Sequence, residues 1–182
     1  MKKSEKLKGC DKVYILKLIK SKMKEEDCCP RFNPKKWDKK TFNWKDKKFI
    51  KETIPTFFHI PSIKTISKKI EGMGDLIRKS DAAIPKKEDT LILFRDPSAF
   101  KSEIYWSVGK KVDGANNITI SGRFMAMVFD GPNNAIPKYI KEMEEYLKEK
   151  NEKAKDYLVH YAYCPKCAKK FRHNYMILFA KI

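Results

Sequence analysis

The sequence predicts an α+β fold built from two β-α-β-β units. Their antiparallel strands form one sheet, with both helices on one face and a concave, aromatic cleft on the other, preceded by an N-terminal helix and an extended arm. Three observations predict it. Residues 118–140 read as strand, turn and helix: Ile118 and Ile120 alternate with Thr119 and Ser121, and an unbroken apolar run follows from Phe124 to Phe129. Asp130-Gly131-Pro132-Asn133-Asn134 is turn chemistry, and Ile136, Ile140, Met143 and Leu147 then recur as the stripe of an amphipathic helix. A second stripe, Ile63, Ile66, Ile70, Met73 and Ile77, follows Pro61-Ser62. The two halves also keep similar spacing. Pro61 to the strand at Leu91 is 30 residues and Pro132 to Leu158 is 26; Leu91 to Glu103 is 12 and Leu158 to Tyr175 is 17.

In chain order, Val13, Leu16, Ile19 and Met23 predict a short helix over 11–26, ended by Cys28-Cys29-Pro30. Residues 30–48 hold Phe32, Trp37, Phe42 and Trp44 with no clean period, which reads as an arm whose aromatics dock on the main body or line a ligand site. Residues 49–60 predict a strand with a bulge or edge at Pro55, and the helix after Pro61 is weakened near its end by Gly72 and Gly74. Leu91 to Phe94 is a short buried strand, Asp96-Pro97-Ser98 a turn, and Glu103 to Val108 the next strand, closed by Asp113-Gly114. After the central stretch, residues 157–163 and 175–180 are strands, with Cys164-Pro165-Lys166-Cys167 in a basic loop between them. The expected division is 1–48 for helix and arm and 49–182 for the domain, its halves 49–113 and 118–182.

A length of 182 residues with 42% apolar and 12% aromatic content supports a packed core. No apolar run approaches the ~18 residues of a membrane span, and Lys17 and Lys20 interrupt the basic N-terminal stretch, which is no secretory h-region. The reading is a cytoplasmic protein, a monomer or homodimer, with no membrane partner. The net charge of +18 invites a nucleic-acid reading, but only five of the 41 basic residues are arginine. The lysines are interleaved with acids along the whole chain, so no specific nucleic-acid partner is expected.

Glu103 is read as the one strand acid facing the cleft, and as the candidate catalytic residue. Burial would raise its pKa towards that of a general base, and a carboxylate among rings can hold a flat cation. Tyr105 shares its face, and Trp106 points the other way. Tyr161 and Tyr163 share a face opposite to His160. The candidate ligand-binding set is Tyr105, Trp106, Phe58, Phe124, Tyr161, Tyr163, Tyr175 and Trp44. His59 and His173 are read as structural or solvated. The C-x-x-C of Cys164 and Cys167 suits two thiolates on one Zn²⁺ or a redox pair; Cys28 and Cys29 offer further ligands, in a four-sulfur site, a three-cysteine site or one completed by His173. Bound Zn, unligated thiols and a disulfide all stay open; no cofactor is required.

The segment SGRFMAMVFDGPNN followed by a helix, then YLVHYAYCPKCAKKFRHNYMILFAKI, resembles the second half of gyrase-inhibitor-like (GyrI-like) small-molecule-binding domains. The arm CCPRFNPKKWDKKTFNWKDKKFI, the FFHIP turn and the SEIYWSV strand resemble a subgroup of that family labelled as hydrolases. The resemblance implies an SHS2-type tandem, two β-α-β-β units about a pseudo-twofold axis with a ligand cleft between them. The expected ligand is flat and hydrophobic, with Glu103 suiting a cation, and for some members the resemblance implies hydrolysis of strained, DNA-alkylating cyclopropane compounds, a detoxifying activity. Two departures stand out: the late strand HYAYC has no acid where such domains usually carry a Glu, and no helix-turn-helix precedes the domain. The rival reading is a thiol- or metal-dependent protein using Cys164 and Cys167.

Overall fold

The computed structural model describes residues 29–58 and 60–182. The expected 11–26 helix, Cys28 and His59 lie outside the described residues. A 3₁₀ turn at Pro34–Lys36, capped by the Asn33 side chain on Lys35 N–H (3.1 Å), leads into strand β1, Lys40–Phe57. Strand β2 (Ile60–Pro61), helix α1 (Ile63–Lys79), strands β3 (Ile92–Ser98), β4 (Lys101–Ser107) and β5 (Asn117–Asp130) follow. Helix α2 (Ile136–Glu149), strand β6 (Asp156–Tyr161), helix α3 (Pro165–Phe171) and strand β7 (Tyr175–Lys181) complete the chain. The architecture is α+β, as expected. The order strand, helix, strand, strand occurs twice, with α3 inserted between the last two strands.

The sheet runs β1-β4-β3-β6-β7-β5, every pairing antiparallel, and β5 also pairs with β1. Six strands therefore close on themselves as a barrel, and the expected concave face becomes a barrel interior. Closure depends on the length of β1, which begins at Lys40 inside the expected arm. Its first part pairs with β5 from Lys40↔Ala126 to Trp44↔Gly122, and its later part pairs with both β5 and β4. Between the two the register shifts, at a bulge where Asp46 takes a left-handed φ of 45°. One extra residue inverts the alternation of side chains. Phe42 and Trp44 before the bulge, and Phe49 after it, thus face the same interior.

Alternation then sorts three clusters. Phe49, Leu93, Tyr105, Phe124, Leu158, Ile177 and Phe179 fill the barrel with Trp37, and Phe42 and Trp44 pack against them. Trp44 lies 4.2 Å from Phe124 and 5.3 Å from Phe179 by ring centroids. The arm's aromatics therefore occupy much of the predicted hollow. On the outer face, Met73 and Ile77 of α1 pack on Ile50, Ile54 and Ile104. Tyr139, Met143 and Leu147 of α2 pack on Met125, Met127, Met176 and Leu178. Both apolar stripes are where the sequence puts them, although Ile63 at the start of α1 is 81% exposed.

Two local expectations change. Asp96-Pro97-Ser98 stays extended as the irregular end of β3, with the register slipping between Arg95 and Ser98. The CPKC stretch is no loop: Pro165 at the first helical position starts α3, which ends at Arg172 in the left-handed region (φ 58°).

Phe179 is fully buried and touches Trp37, Phe42 and Trp44. Phe179→Ala should therefore cost about 3–5 kcal/mol in urea denaturation. A loss below about 1 kcal/mol would mean that these rings do not form one packed interior.

Candidate functional site

Strand β4 delivers the charge that organises the interior. Lys101, Glu103, Tyr105 and Ser107 alternate with Ser102, Ile104 and Trp106, and the second set faces away from the barrel interior. Glu103 is only 3% exposed. A carboxylate there must be matched by donors, and the neighbouring strands supply them. Lys51 Nζ on β1 lies 2.8 Å from Oε1, Lys101 Nζ 3.2 Å from Oε1, and Arg95 Nη1 on β3 3.2 Å from Oε2. The Tyr105 hydroxyl donates to Oε2. Arg95 is the cross-strand partner of Glu103, and its Nε donates to Asp156 Oδ2 at 2.7 Å. Lys51 also sits over the Tyr105 ring, 5.4 Å from its centroid.

The electrostatics reverse the sequence expectation for Glu103. Burial alone pushes its carboxyl up, but hydrogen bonds from Lys51, Tyr105, Lys101 and Arg95 outweigh burial and bring its pKa from 4.5 down to about 2. Glu103 is a fixed anion at neutral pH, and a weak base. Burial, together with the Glu103 charge, pushes the Tyr105 hydroxyl up, so it stays a donor.

A cavity of about 270 Å³ opens beside this cluster, walled by Arg95, Tyr105, Phe124, Asp156, Leu158 and Lys181, with Ile118 to Ser121 of β5 on its other side. Of the residues proposed from sequence, Tyr105 and Phe124 line it, Glu103 holds two of its walls, and Trp44 stacks behind Phe124. The rest lie elsewhere. Trp106 packs under α1, its indole against the helix at Gly74. Tyr161 is on the same outer side of the sheet, against Phe94. Tyr163 and Tyr175 gather with Phe32 next to α3. The chain bends after Tyr161, so Tyr161 and Tyr163 do not share a face. Phe58 is 62% exposed in a surface cluster with Phe57 and Phe100. Lys51, Arg95, Lys101, Asp156 and Lys181 were missed, and Asp156 is a second strand acid facing the interior. Their signal was phase: Arg95 continues Leu91 and Leu93 by twos, and Lys181 continues Ile177 and Phe179.

A family model for bacterial hydrolases matches residues 19–182. The chain belongs to this bacterial hydrolase family. Among solved structures, SAV2435 bound to tetraphenylphosphonium is 12% identical, with a TM-score of 0.45 over 78% of this chain and 92% of that one. A Staphylococcus aureus MU50 protein named for bacterial transcription regulation is 12% identical, with a TM-score of 0.42 over 78% of this chain and 95% of that one. No curated protein sequence matches. At 12% identity neither solved structure supplies a residue role for this member of the bacterial hydrolase family.

Its second constellation is sulfur. The Sγ atoms of Cys29, Cys164 and Cys167 all lie within 4.8 Å of one another, close enough to hold a metal ion. Burial pushes the Cys29 thiol up, and the Cys164 N–H that donates to its sulfur opposes this. The histidines stand apart from both constellations. His160 Nδ1 lies 3.2 Å from the Ile92 nitrogen and 3.1 Å from its carbonyl oxygen, and burial pushes its pKa down to about 4, so it is neutral at pH 7. His173 pairs with Asp130 at 2.6 Å and stacks on Tyr175. Among the described residues, no helix is long and apolar enough to cross a membrane.

The folded-state pKa of Glu103 lies below its unfolded value of 4.5, so its contribution to stability is complete above 4.5 and is lost as pH falls towards about 2. That contribution amounts to at most about 3 kcal/mol. The stability margin of wild type over Glu103→Gln should therefore shrink across this window in chemical denaturation. A margin that does not change with pH there would mean the cluster exerts no net pull on the carboxylate.

Proposed function

We propose that this chain binds a flat, largely apolar small molecule in the barrel hollow and hydrolyses it there. One observation carries the reading: a buried carboxylate with four hydrogen-bonding partners, drawn from three strands, beside an open cavity with both polar and apolar walls. Folding alone does not call for such a cluster, since apolar residues of similar size would fill the space at least as stably. Ring and aliphatic surface from Tyr105, Phe124 and Leu158 would take the flat body of the ligand.

The charge pattern bears on what the ligand carries. Arg95 pairs with both Glu103 and Asp156, and Lys181 lines the same space. A cationic ligand meets carboxylates already engaged, so a neutral ligand with acceptor atoms suits the hollow better than the cation that a lone Glu103 suggested. In this reading Arg95 faces the acceptor and polarises it, and Glu103, behind the wall, holds Arg95 and the Tyr105 hydroxyl in place towards the hollow. It is not an acid, because a carboxyl with a pKa of about 2 holds no proton at neutral pH. We also read the two halves as copies of one β-α-β-β unit of the GyrI-like type. Each places its helix against its own strands, α1 on β1 and β4 and α2 on β5 and β7.

The test is turnover of a strained cyclopropane alkylator by purified protein, with thermal shift by the same compound as the binding readout. Wild type should raise its melting temperature with the compound and consume it. Glu103→Gln, which loosens Arg95 and Tyr105, should lose about a hundredfold in rate. Equal rates would remove Glu103 from the mechanism. Absence of both shift and turnover in folded wild type, extended to neutral flat aromatic esters, would overturn the small-molecule reading itself.

A further inference from the structure

The sulfur cluster is separate from the hollow: none of Cys29, Cys164 and Cys167 lines the cavity. Its three members come from two distant places. Cys164 and Cys167 sit at the start of α3, one before Pro165 and one a turn later, which turns both sulfurs to one side. Cys29 belongs to the arm, 135 residues earlier. Chain folding alone has brought them within 4.8 Å.

We infer that Cys29, Cys164 and Cys167 are the protein ligands of a structural Zn²⁺ site that fastens the arm to the β6–α3–β7 end of the barrel. Tetrahedral Zn–S bonds of about 2.3 Å put sulfurs about 3.8 Å apart, so the observed triangle closes onto the ion with movements of about 1 Å or less. Among the described residues the donor set is all sulfur, with no carboxylate or imidazole in it. Thiolates select a soft ion over Mg²⁺ or Ca²⁺. A backbone donor already points at one ligand: the Cys164 N–H lies 3.3 Å from Cys29 Sγ, an outer-shell hydrogen bond that supports thiolate charge. Three thiolates and Zn²⁺ leave one net negative charge, and Arg31, Lys166, Lys169, Lys170 and Arg172 surround the motif in sequence. Cys167 is 2% exposed, whereas Cys29 and Cys164 are only half buried. Water can therefore reach the ion as its fourth ligand.

The geometry also says what the site would hold. Next to Cys29, Arg31 lies 5.1 Å from the Phe171 ring centroid, and Phe32 N–H donates to the Tyr163 hydroxyl at 3.0 Å. Five residues further, Trp37 enters the barrel interior. These contacts across a long loop are individually weak, and a metal cross-link removes much of the entropic cost of closing it.

The experiment uses the full chain, expressed with added zinc and purified in the presence of a reductant. Elemental analysis should give one zinc per chain. Replacement by Co²⁺ alone should give the intense near-ultraviolet thiolate-to-cobalt charge-transfer band. Chelation should make three further thiols reactive and lower the melting temperature. Cys164→Ser and Cys167→Ser should each lose the zinc and the cobalt band, and Cys10→Ser should keep both. A serine variant that unfolds would lose zinc for that reason alone, so the deciding sample is wild type itself. Folded wild type, judged by circular dichroism, that binds no zinc and shows no cobalt band overturns the proposal. So does a Cys164–Cys167 disulfide, seen as a loss of two hydrogen masses in protein kept under reductant.

Discussion

A carboxylate inside a six-stranded barrel is the constraint on which the rest of this structure turns. Glu103 leaves water almost completely, and that costs several kcal/mol unless charge and hydrogen bonds are put in its place. The replacements arrive from β1, β3 and β4 together, so the cluster forms only when these three strands are in register. A slip of one residue would exchange Glu103 with Ile104 and put the charge against α1. Register and electrostatics thus specify one another. The arrangement also fixes Arg95 and Tyr105, the two cavity walls that touch Glu103 directly.

Around that cluster, the long first strand decides how much of the interior remains open. The bulge after Trp44 lets one strand serve both sides of the closure, pairing only with β5 before it and with β4 as well after it. It also brings the arm's rings onto the same side as Phe49. They fill most of the barrel and leave the hollow confined to the end where Arg95, Asp156 and Lys181 gather. A small barrel normally fills with side chains, and this one stays open beside its charges.

Much of this was legible residue by residue. Both helices could be read from stripes of period 3.6, and β5 from its apolar run, because those signals are local. Barrel closure was not, since it needs Lys40 to Trp44 to find β5, a pairing about 80 residues away in sequence that no period announces. Interior charges were missed for a related reason. Arg95, Asp156 and Lys181 look like solvent-facing ends of strands until closure turns their face inward. Trp106 and Tyr161 were over-read in the opposite sense, as aromatic type was allowed to outweigh strand phase. Helix α3 was missed because it has only seven residues, too short for an apolar stripe.

The account rests on Glu103 being an ionised, fully partnered group inside the barrel. The most direct measurement is a carbon NMR titration of its side-chain carboxyl in protein labelled with ¹³C at glutamate, assigned by comparison with Glu103→Gln. The resonance should remain that of a carboxylate far below pH 4.5 and move only as pH approaches about 2. A midpoint at 4.5 or above would contradict the account, since it would mean that Glu103 lies in water or stands in the interior without its cations.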